Sequence, residues 1–322
     1  MNALLVLAAL LAAGAAWQRL ELARAARAPL ARGRMADAGG FRLRIAESGA
    51  AHAGPTVLLE CGIAGPTSAS WAWVQRGVAE FAPVVSYDRA GLGRSDEGPL
   101  PRDGRAMARE LRAALAGAGI PGPFVFTGHS FGGLVARFFV DEFPADVAGV
   151  VLVESSHPRQ MDAAGLRLWH DGVRVLLALS PLLTGIGLVR AIVRVAPLPA
   201  MRLPEPERSE QLGHQSSARH WRGVAREFDA WLPRTAPQAA ACGTFGSRPL
   251  VVLTAGGSAA HYPGWAACQA DLVRLSDDAV HRVVPGADHA LMITDPRQSR
   301  AVVDAIRDVA AAVRERRPLA KH

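Results

Sequence analysis

Three observations predict an α/β fold, a mostly parallel sheet with helices on both faces, interrupted by a helical insertion. Short apolar runs alternate with amphipathic stretches along most of the 322 residues. One run, Val147–Val153, is β-branched almost throughout, as in a strand covered on both sides. The alternation stops near Arg159 and resumes after Thr244. Alternating strand and helix favours parallel pairing through right-handed crossovers. Half of the residues are hydrophobic, which excludes a disordered chain and suffices for one sizeable core with an insertion.

The elements follow in order. Phe41–Glu47 alternates apolar and polar residues as a half-buried strand does, and Thr56–Glu60 is a short apolar run entering a Gly-rich turn. Trp71–Phe81 reads as a helix and Pro83–Tyr87 as a buried strand. Arg105–Ala118 has helical periodicity and stops at Gly119. Phe124–Thr127 is a strand followed, with almost no loop, by a helix over Phe131–Phe143. After Val147–Val153 comes the insertion, helical and interrupted by prolines, with Trp169, Trp221 and Trp231. Its apolar middle, Val175–Val189, reads either as packed core of the insertion or as a surface for apolar ligands. Then come a strand over Pro249–Thr254, a helix ending near Leu275, a strand over Val280–Val284, and a last helix from Gln298 to about Arg316. The expected partition is an N-terminal segment and linker (1–32), a first core part (33–158), a helical lid or cap (159–244) and a second core part (245–322).

The net charge is +7, almost all of it arginine, with Lys321 the one lysine. These arginines are scattered among acids, with no basic run or finger motif, so nucleic acid is not expected as a partner. Met1–Gln18 carries no charged side chain and is about long enough to enter a bilayer as a helix. Arg19, Arg24, Arg27, Arg32 and Arg34 follow it. Positive charge behind the apolar run points to a membrane anchor with the remaining chain in the cytoplasm. The alternative is an exported protein, with Ala13, Ala15 and Ala16 preceding a cleavage site. The three cysteines lack metal spacing, and a Cys242–Cys268 disulfide is conceivable in an oxidising compartment.

The strongest chemical signal is Gly128-His129-Ser130-Phe131-Gly132-Gly133, between a strand and a helix. That context is a nucleophile elbow, presenting Ser130 at a strand's C-terminal edge before the amides of a helix N-terminus. Serine needs a base, and His289 stands on the loop after the last strand, in Pro285-Gly286-Ala287-Asp288-His289. His129 packs beneath the elbow; His157 is either a substrate contact or a loop residue. The loop after the strand that follows the insertion, Thr254–Ser258, has no carboxylate for the third member. Asp271 lies inside a helix, Asp277 and Asp278 precede the last strand, and Asp288 adjoins His289. Glu154 ends the strand beside that of Ser130, so it is the expected partner of the His289 Nδ1 proton. The expected oxyanion donors are the amides of Phe131 and Ile63, with Gly62 permitting close approach and Cys61 as small support for the turn.

The elbow, the stretch Ser86-Tyr87-Asp88-Arg89-Ala90-Gly91-Leu92-Gly93-Arg94-Ser95 and the His289 loop together resemble the α/β-hydrolase superfamily. More narrowly they are similar to its bacterial branch with an N-terminal membrane segment and a helical cap. The resemblance runs from about Gly33 to Arg316 and is weakest in the cap. It implies an eight-stranded, mostly parallel sheet, no cofactor, and an Asp88–Arg89 pair that braces the loop beside the site. Two departures stand out. Many relatives begin the oxyanion turn with His-Gly, where this chain has Cys61-Gly62. The placement of Glu154 resembles one branch of haloalkane dehalogenases, which, like epoxide hydrolases, use an aspartate nucleophile; Ser130 argues against both. The expectation is therefore a serine hydrolase acting on an apolar ester, with the same triad on an amide, lactone or carbon–carbon bond, or a silent binding scaffold, as alternatives.

Overall fold

A computed structural model describes residues 2–27, 32–162, 166–261 and 264–320. An eight-stranded sheet runs in the order β1-β2-β4-β3-β5-β6-β7-β8. Its strands are β1 (Arg34–Asp37), β2 (Arg42–Ser48), β3 (Thr56–Glu60), β4 (Val84–Tyr87), β5 (Phe124–His129), β6 (Val147–Val153), β7 (Leu250–Ala255) and β8 (Ala279–Val284). The first two form a hairpin antiparallel to its neighbour β4; all other pairings are parallel. Strand β1 adds one edge strand to those read from periodicity, being too short and polar to show an alternation.

The central strands are buried on both faces, and the period-two alternation divides their side chains between two cores. Phe124, Phe126, Val150, Leu152, Leu250 and Val252 point to one. Val57, Leu59, Val125, Val151, Val153 and Val251 point to the other. The N-terminal helix α1 (Ala3–Arg27) stands before the sheet. Of the following helices, α2 (Ala72–Val78) packs with the long C-terminal helix on the second core, whereas α3 (Gly104–Gly117) and α4 (Gly132–Glu142) cover the first. Asp103 caps α3, its carboxylate accepting the Ala106 amide at 3.0 Å.

Between β6 and β7 the chain is helical: α5 (Leu166–Gly185), α6 (Leu188–Val195), α7 (Glu207–Gln215), α8 (Ala218–Ala230), a π-helical turn over Trp231–Thr235 and α9 (Ala236–Ala240). After β7 come α10 (Gly256–His261) and α11 (Trp265–Leu272), and after β8 come α12 (Leu291–Thr294) and α13 (Ser299–Glu315). The loop expected over Thr254–Ser258 is thus turned into helix α10 at Gly256. The apolar middle of the insertion is packed on one side alone: Leu177 is buried, whereas Val175, Leu176, Leu179 and Leu182 are exposed. Among the described residues Cys61 and Cys242 are free thiols, so the conceivable Cys242–Cys268 bridge is absent.

Polar clips hold the insertion over the sheet edge. Gln211 of α7 accepts from the Thr67 amide and hydroxyl and donates to the Gly65 carbonyl at 2.9 Å. His220 of α8 is buried between two core loops, its Nδ1 accepting from the Gly93 amide (3.2 Å) and its Nε2 facing the Gly65 carbonyl (3.0 Å). An imidazolium would set an Nδ1 proton against the Gly93 N–H. Burial, with the neighbouring His214 in support, lowers the His220 pKa to about 3. A folded pKa below the unfolded value means that the unfolded chain takes up the proton first as the medium acidifies. The stability contributed by neutral His220 is complete above the ordinary histidine range and is lost as the pH falls toward about 3. We expect the free energy of urea unfolding, followed between about pH 4 and 6, to have a slope shallower by roughly 1 kcal/mol per pH unit in His220→Gln. An unchanged slope would mean that His220 titrates normally in the folded chain.

Candidate active site

Strands β5 and β6 are neighbours, with His129 paired to Val153, so the residue after each strand falls at the same edge. Those residues are Ser130 and Glu154, and both hold a left-handed backbone, φ +54° and +48°. For residues with a Cβ this conformation costs about 1–2 kcal/mol each. At Ser130 it is offset by three backbone hydrogen bonds: its amide to the Val153 carbonyl (3.0 Å), and its carbonyl from the amides of Gly133 (3.0 Å) and Ser156 (2.9 Å). The Glu154 amide is held by the Leu253 carbonyl at 2.8 Å. Close packing below the elbow admits no side chain at Gly132, where a Cβ would lie 2.5 Å from the Glu60 carbonyl oxygen.

The Glu154 carboxylate is fully buried. One oxygen accepts the Ala255 amide at 2.6 Å, the other faces His289 Nδ1 at 3.0 Å, and the Trp265 indole N–H donates to both, at 3.1 and 3.2 Å. An ionised carboxylate accepts from the imidazole, which places the proton on Nδ1 and leaves Nε2 as a base. The rings of Trp265 and His129 flank His289, with centroids at 6.1 and 4.8 Å. His129 lies buried under the elbow, its Nε2 bonded to the His289 carbonyl at 2.9 Å. Burial, then the adjacent His289, lowers the His129 pKa to about 3, so it is neutral and fastens the His289 loop to the elbow.

Ser130 and His289 line one cavity of about 630 Å³. Among the described residues no hydrogen bond joins the Ser130 hydroxyl to the imidazole. The turn after β3 closes on the hydroxyl: a Cβ at Gly62 would lie 3.0 Å from Ser130 Cβ and 3.4 Å from Oγ. Neither the Ile63 nor the Phe131 amide donates to a backbone acceptor among the described residues. The far wall is mostly apolar and comes from the insertion, with Trp169, Leu198, Phe228 and Trp231, while Arg159 brings a cation to the lining.

A family model described as the alpha/beta hydrolase fold matches residues 55–196, which contain β3 through β6, the elbow and the start of the insertion. Over that stretch, somewhat less than half of the chain, the sequence matches the α/β-hydrolase superfamily. An AB hydrolase superfamily protein of Gibberella zeae is 38% identical over 109 residues, 33% of this chain and 34% of that protein. RutD of Azorhizobium caulinodans, whose name assigns it carbamate hydrolysis as a candidate activity, is 30% identical over 146 residues, 45% of this chain and 51% of its own. The matched stretch thus spans between a third and a half of these relatives. An esterase from Thermogutta terrifontis superposes with a TM-score of 0.64 at 21% identity, over 88% of this chain and 99% of that one. Epoxide hydrolase CorEH does so with a TM-score of 0.63 at 18% identity, over 84% and 95%. At such identities the likeness is one of fold.

The site is held by charges that the sequence did not pair. Arg89 is buried between two carboxylates, Glu60 on β3 (2.7 Å) and Glu227 on α8 (2.7 Å), and donates to the Cys61 and Gly62 carbonyls at 2.7 Å each. One guanidinium therefore ties the turn beside Ser130 to the sheet and to the insertion. Burial opposes its charge, but Glu227 and Glu60 outweigh that and raise its pKa well above the ordinary value. Burial pushes the Glu60 carboxyl up, only partly countered by Arg89 and by the short hydrogen bond from Tyr87. Asp88 works one turn away, accepting from the Ser68 and Arg94 amides. His157 is a loop residue: its Nε2 meets Asp271 at 3.1 Å, and it does not line the cavity. Asp271 is thereby engaged away from His289. Trp265, a donor to Glu154, was missed because nothing in sequence links positions 111 residues apart.

Removing a cation from between two buried carboxylates leaves their desolvation uncompensated. We expect Arg89→Ala to lower the unfolding free energy by about 3–5 kcal/mol in urea denaturation. A change below about 1 kcal/mol would show that the two glutamates are satisfied without it.

Proposed function

We propose that this hydrolase cleaves an apolar carboxylic ester through an acyl-enzyme on Ser130. The observation that carries the reading is a buried carboxylate and an imidazole nitrogen 3.0 Å apart, with Ser130 in a left-handed bend on the neighbouring strand and in the same cavity. Ser130 Oγ attacks the ester carbonyl carbon while His289 Nε2 takes its proton. The carbonyl oxygen becomes an oxyanion held by the Ile63 and Phe131 amides. Collapse breaks the bond to the alcohol oxygen, which leaves with the proton from His289. Water then gives a proton to His289 and attacks the acyl carbon, and the second collapse returns the proton to Ser130 and releases the acid. Glu154 stays ionised and stabilises the imidazolium in both steps.

An apolar wall of aromatic and aliphatic side chains suits an uncharged acyl chain, and about 630 Å³ is room for a small ligand of that kind. The similarity to RutD supports a second reading, the same attack on a carbamate or amide carbonyl. Helix α1 is long and apolar enough to cross a membrane. Its polar end, Gln18 and Glu21, is engaged by Arg190 of the insertion, which favours a retained anchor. With arginines behind the apolar stretch, the reading places the catalytic domain in the cytoplasm.

A fluorophosphonate probe should label the protein once, on Ser130, and Ser130→Ala should abolish the signal. Glu154→Gln should lower kcat/KM by roughly 10²–10⁴-fold, as loss of the fixed tautomer requires, whereas Asp271→Asn should leave it within about threefold. A large loss in Asp271→Asn with none in Glu154→Gln would overturn the assignment of the acid. Across p-nitrophenyl esters of rising chain length, kcat/KM should climb roughly 3–4-fold per added methylene until the cavity is filled. A flat or falling series would refute an acyl-binding wall.

A further inference from the structure

Helix α5 of the insertion is amphipathic the wrong way round for a soluble cap. Its inward stripe carries Leu177 together with three polar residues, His170, Ser180 and Thr184, all buried. The hydroxyls of Ser180 and Thr184 are satisfied inside the helix, on the carbonyls of Leu177 and Ser180. The outward stripe is Leu168, Val175, Leu179 and Leu182, at the spacing of one helical face, and α6 continues it with Ile192 and Val195. These six side chains are 49–85% exposed. Water does not favour such a contiguous face.

Helix α1 touches this surface at its corner. The chain turns by 100° between α5 and α6, and the turn sits on α1 through two glycines. A Cβ on Gly14 would lie 2.3 Å from the Ile186 carbonyl oxygen, and one on Gly187 would lie 2.7 Å from the Gly14 carbonyl oxygen. One turn farther along α1 the contact becomes polar. Arg194 lies over the Trp17 ring at 4.8 Å, Arg190 donates to Gln18 at 2.7 Å, and Gln18 donates to the Ser216 carbonyl at 2.7 Å. The α5–α6 corner is therefore fixed where the apolar part of α1 meets its first polar residues. That is the level of α1 where an interfacial tryptophan and the arginines behind it would meet lipid headgroups.

We propose that the α5–α6 face is a second membrane-contacting surface, lying in the interfacial layer of the same bilayer that takes up α1. Helices of this kind lie in the membrane plane with leucines in the acyl layer and arginines among the headgroups. Arg194, its side chain 56% exposed, is available for such a contact, whereas Arg190 is buried against α1. The cavity borders that face: Trp169 on α5 lines it while 51% exposed, and Leu198 and Pro199 line it just past α6. A membrane-dissolved molecule would thus reach the chamber without crossing water. The docking itself does not depend on which reaction occurs inside.

The full-length protein is reconstituted in phosphatidylcholine–phosphatidylglycerol vesicles containing a phosphatidylcholine with a diazirine in its acyl chain. After irradiation the adducts are mapped by peptide mass spectrometry. We expect adducts in the stretch 175–195 as well as in α1. The triple variant Leu179→Gln, Leu182→Gln and Ile192→Gln should reduce labelling of that stretch by about fivefold or more, with labelling of α1 and the circular dichroism spectrum unchanged. Absence of adducts from 175–195, whatever happens at α1, overturns the proposal. So does chemical crosslinking of α5 to α5 between two copies with no lipid adduct there, which would make the face a protein interface.

Discussion

A buried carboxylate aimed at an imidazole sets the terms for everything around it. Glu154 is buried and pairs with no arginine among the described residues; its carboxylate is held by hydrogen bonds from the Ala255 amide, the Trp265 indole and His289. Such a group is expensive unless each partner is held in place. The fold supplies that rigidity by ending two adjacent parallel strands in the same left-handed bend and tying their backbones across to one another and to β7. Two of the four strained non-glycine positions among the described residues, Ser130 and Glu154, end this pair of strands at one edge, the pattern expected where backbone strain serves chemistry.

A second buried network does for the turn beside Ser130 what the first does for His289. Arg89 reaches from the loop after β4 to β3, to the Cys61 and Gly62 carbonyls and to α8. It is a planar fork with five donors, and here at least four acceptor atoms converge on it, a task that lysine could not perform. Because one of its partners belongs to the insertion, the turn and the cavity wall are one mechanical unit. His220 and Gln211 add further ties between the insertion and the same glycine, Gly65. The chamber is thus built from the C-terminal sheet edge below and the helical insertion above, with polar clips at the rim and apolar side chains within.

Much of this was legible in the sequence because its signals are local. An elbow motif between a strand and a helix, a β-branched run ended by Glu154, and a Pro-Gly loop carrying His289 each depend on neighbours a few residues away. The strands and the two cores they divide between follow from the apolar pattern within single strands, whereas the sheet order does not. What was not legible depends on contacts between distant positions: Trp265 with Glu154, Arg89 with Glu227, and His220 between Gly65 and Gly93. The four-residue strand β1 was invisible because a short, polar edge strand has no periodicity to read. The apolar stretch of α5 had a clear helical period, but period alone does not say which stripe faces inward, and here the polar stripe does.

The account rests on the hydrogen bond between the His289 ring and Glu154, and proton NMR reads it directly. An imidazole N–H donating to a buried carboxylate is deshielded and exchanges slowly with water. The unmodified protein should show one such downfield ring proton, assignable to His289 by its loss in His289→Ala, and it should disappear or move strongly upfield in Glu154→Gln. A downfield His289 proton that persists unchanged in Glu154→Gln would contradict the account, because the ring would then be oriented by another partner.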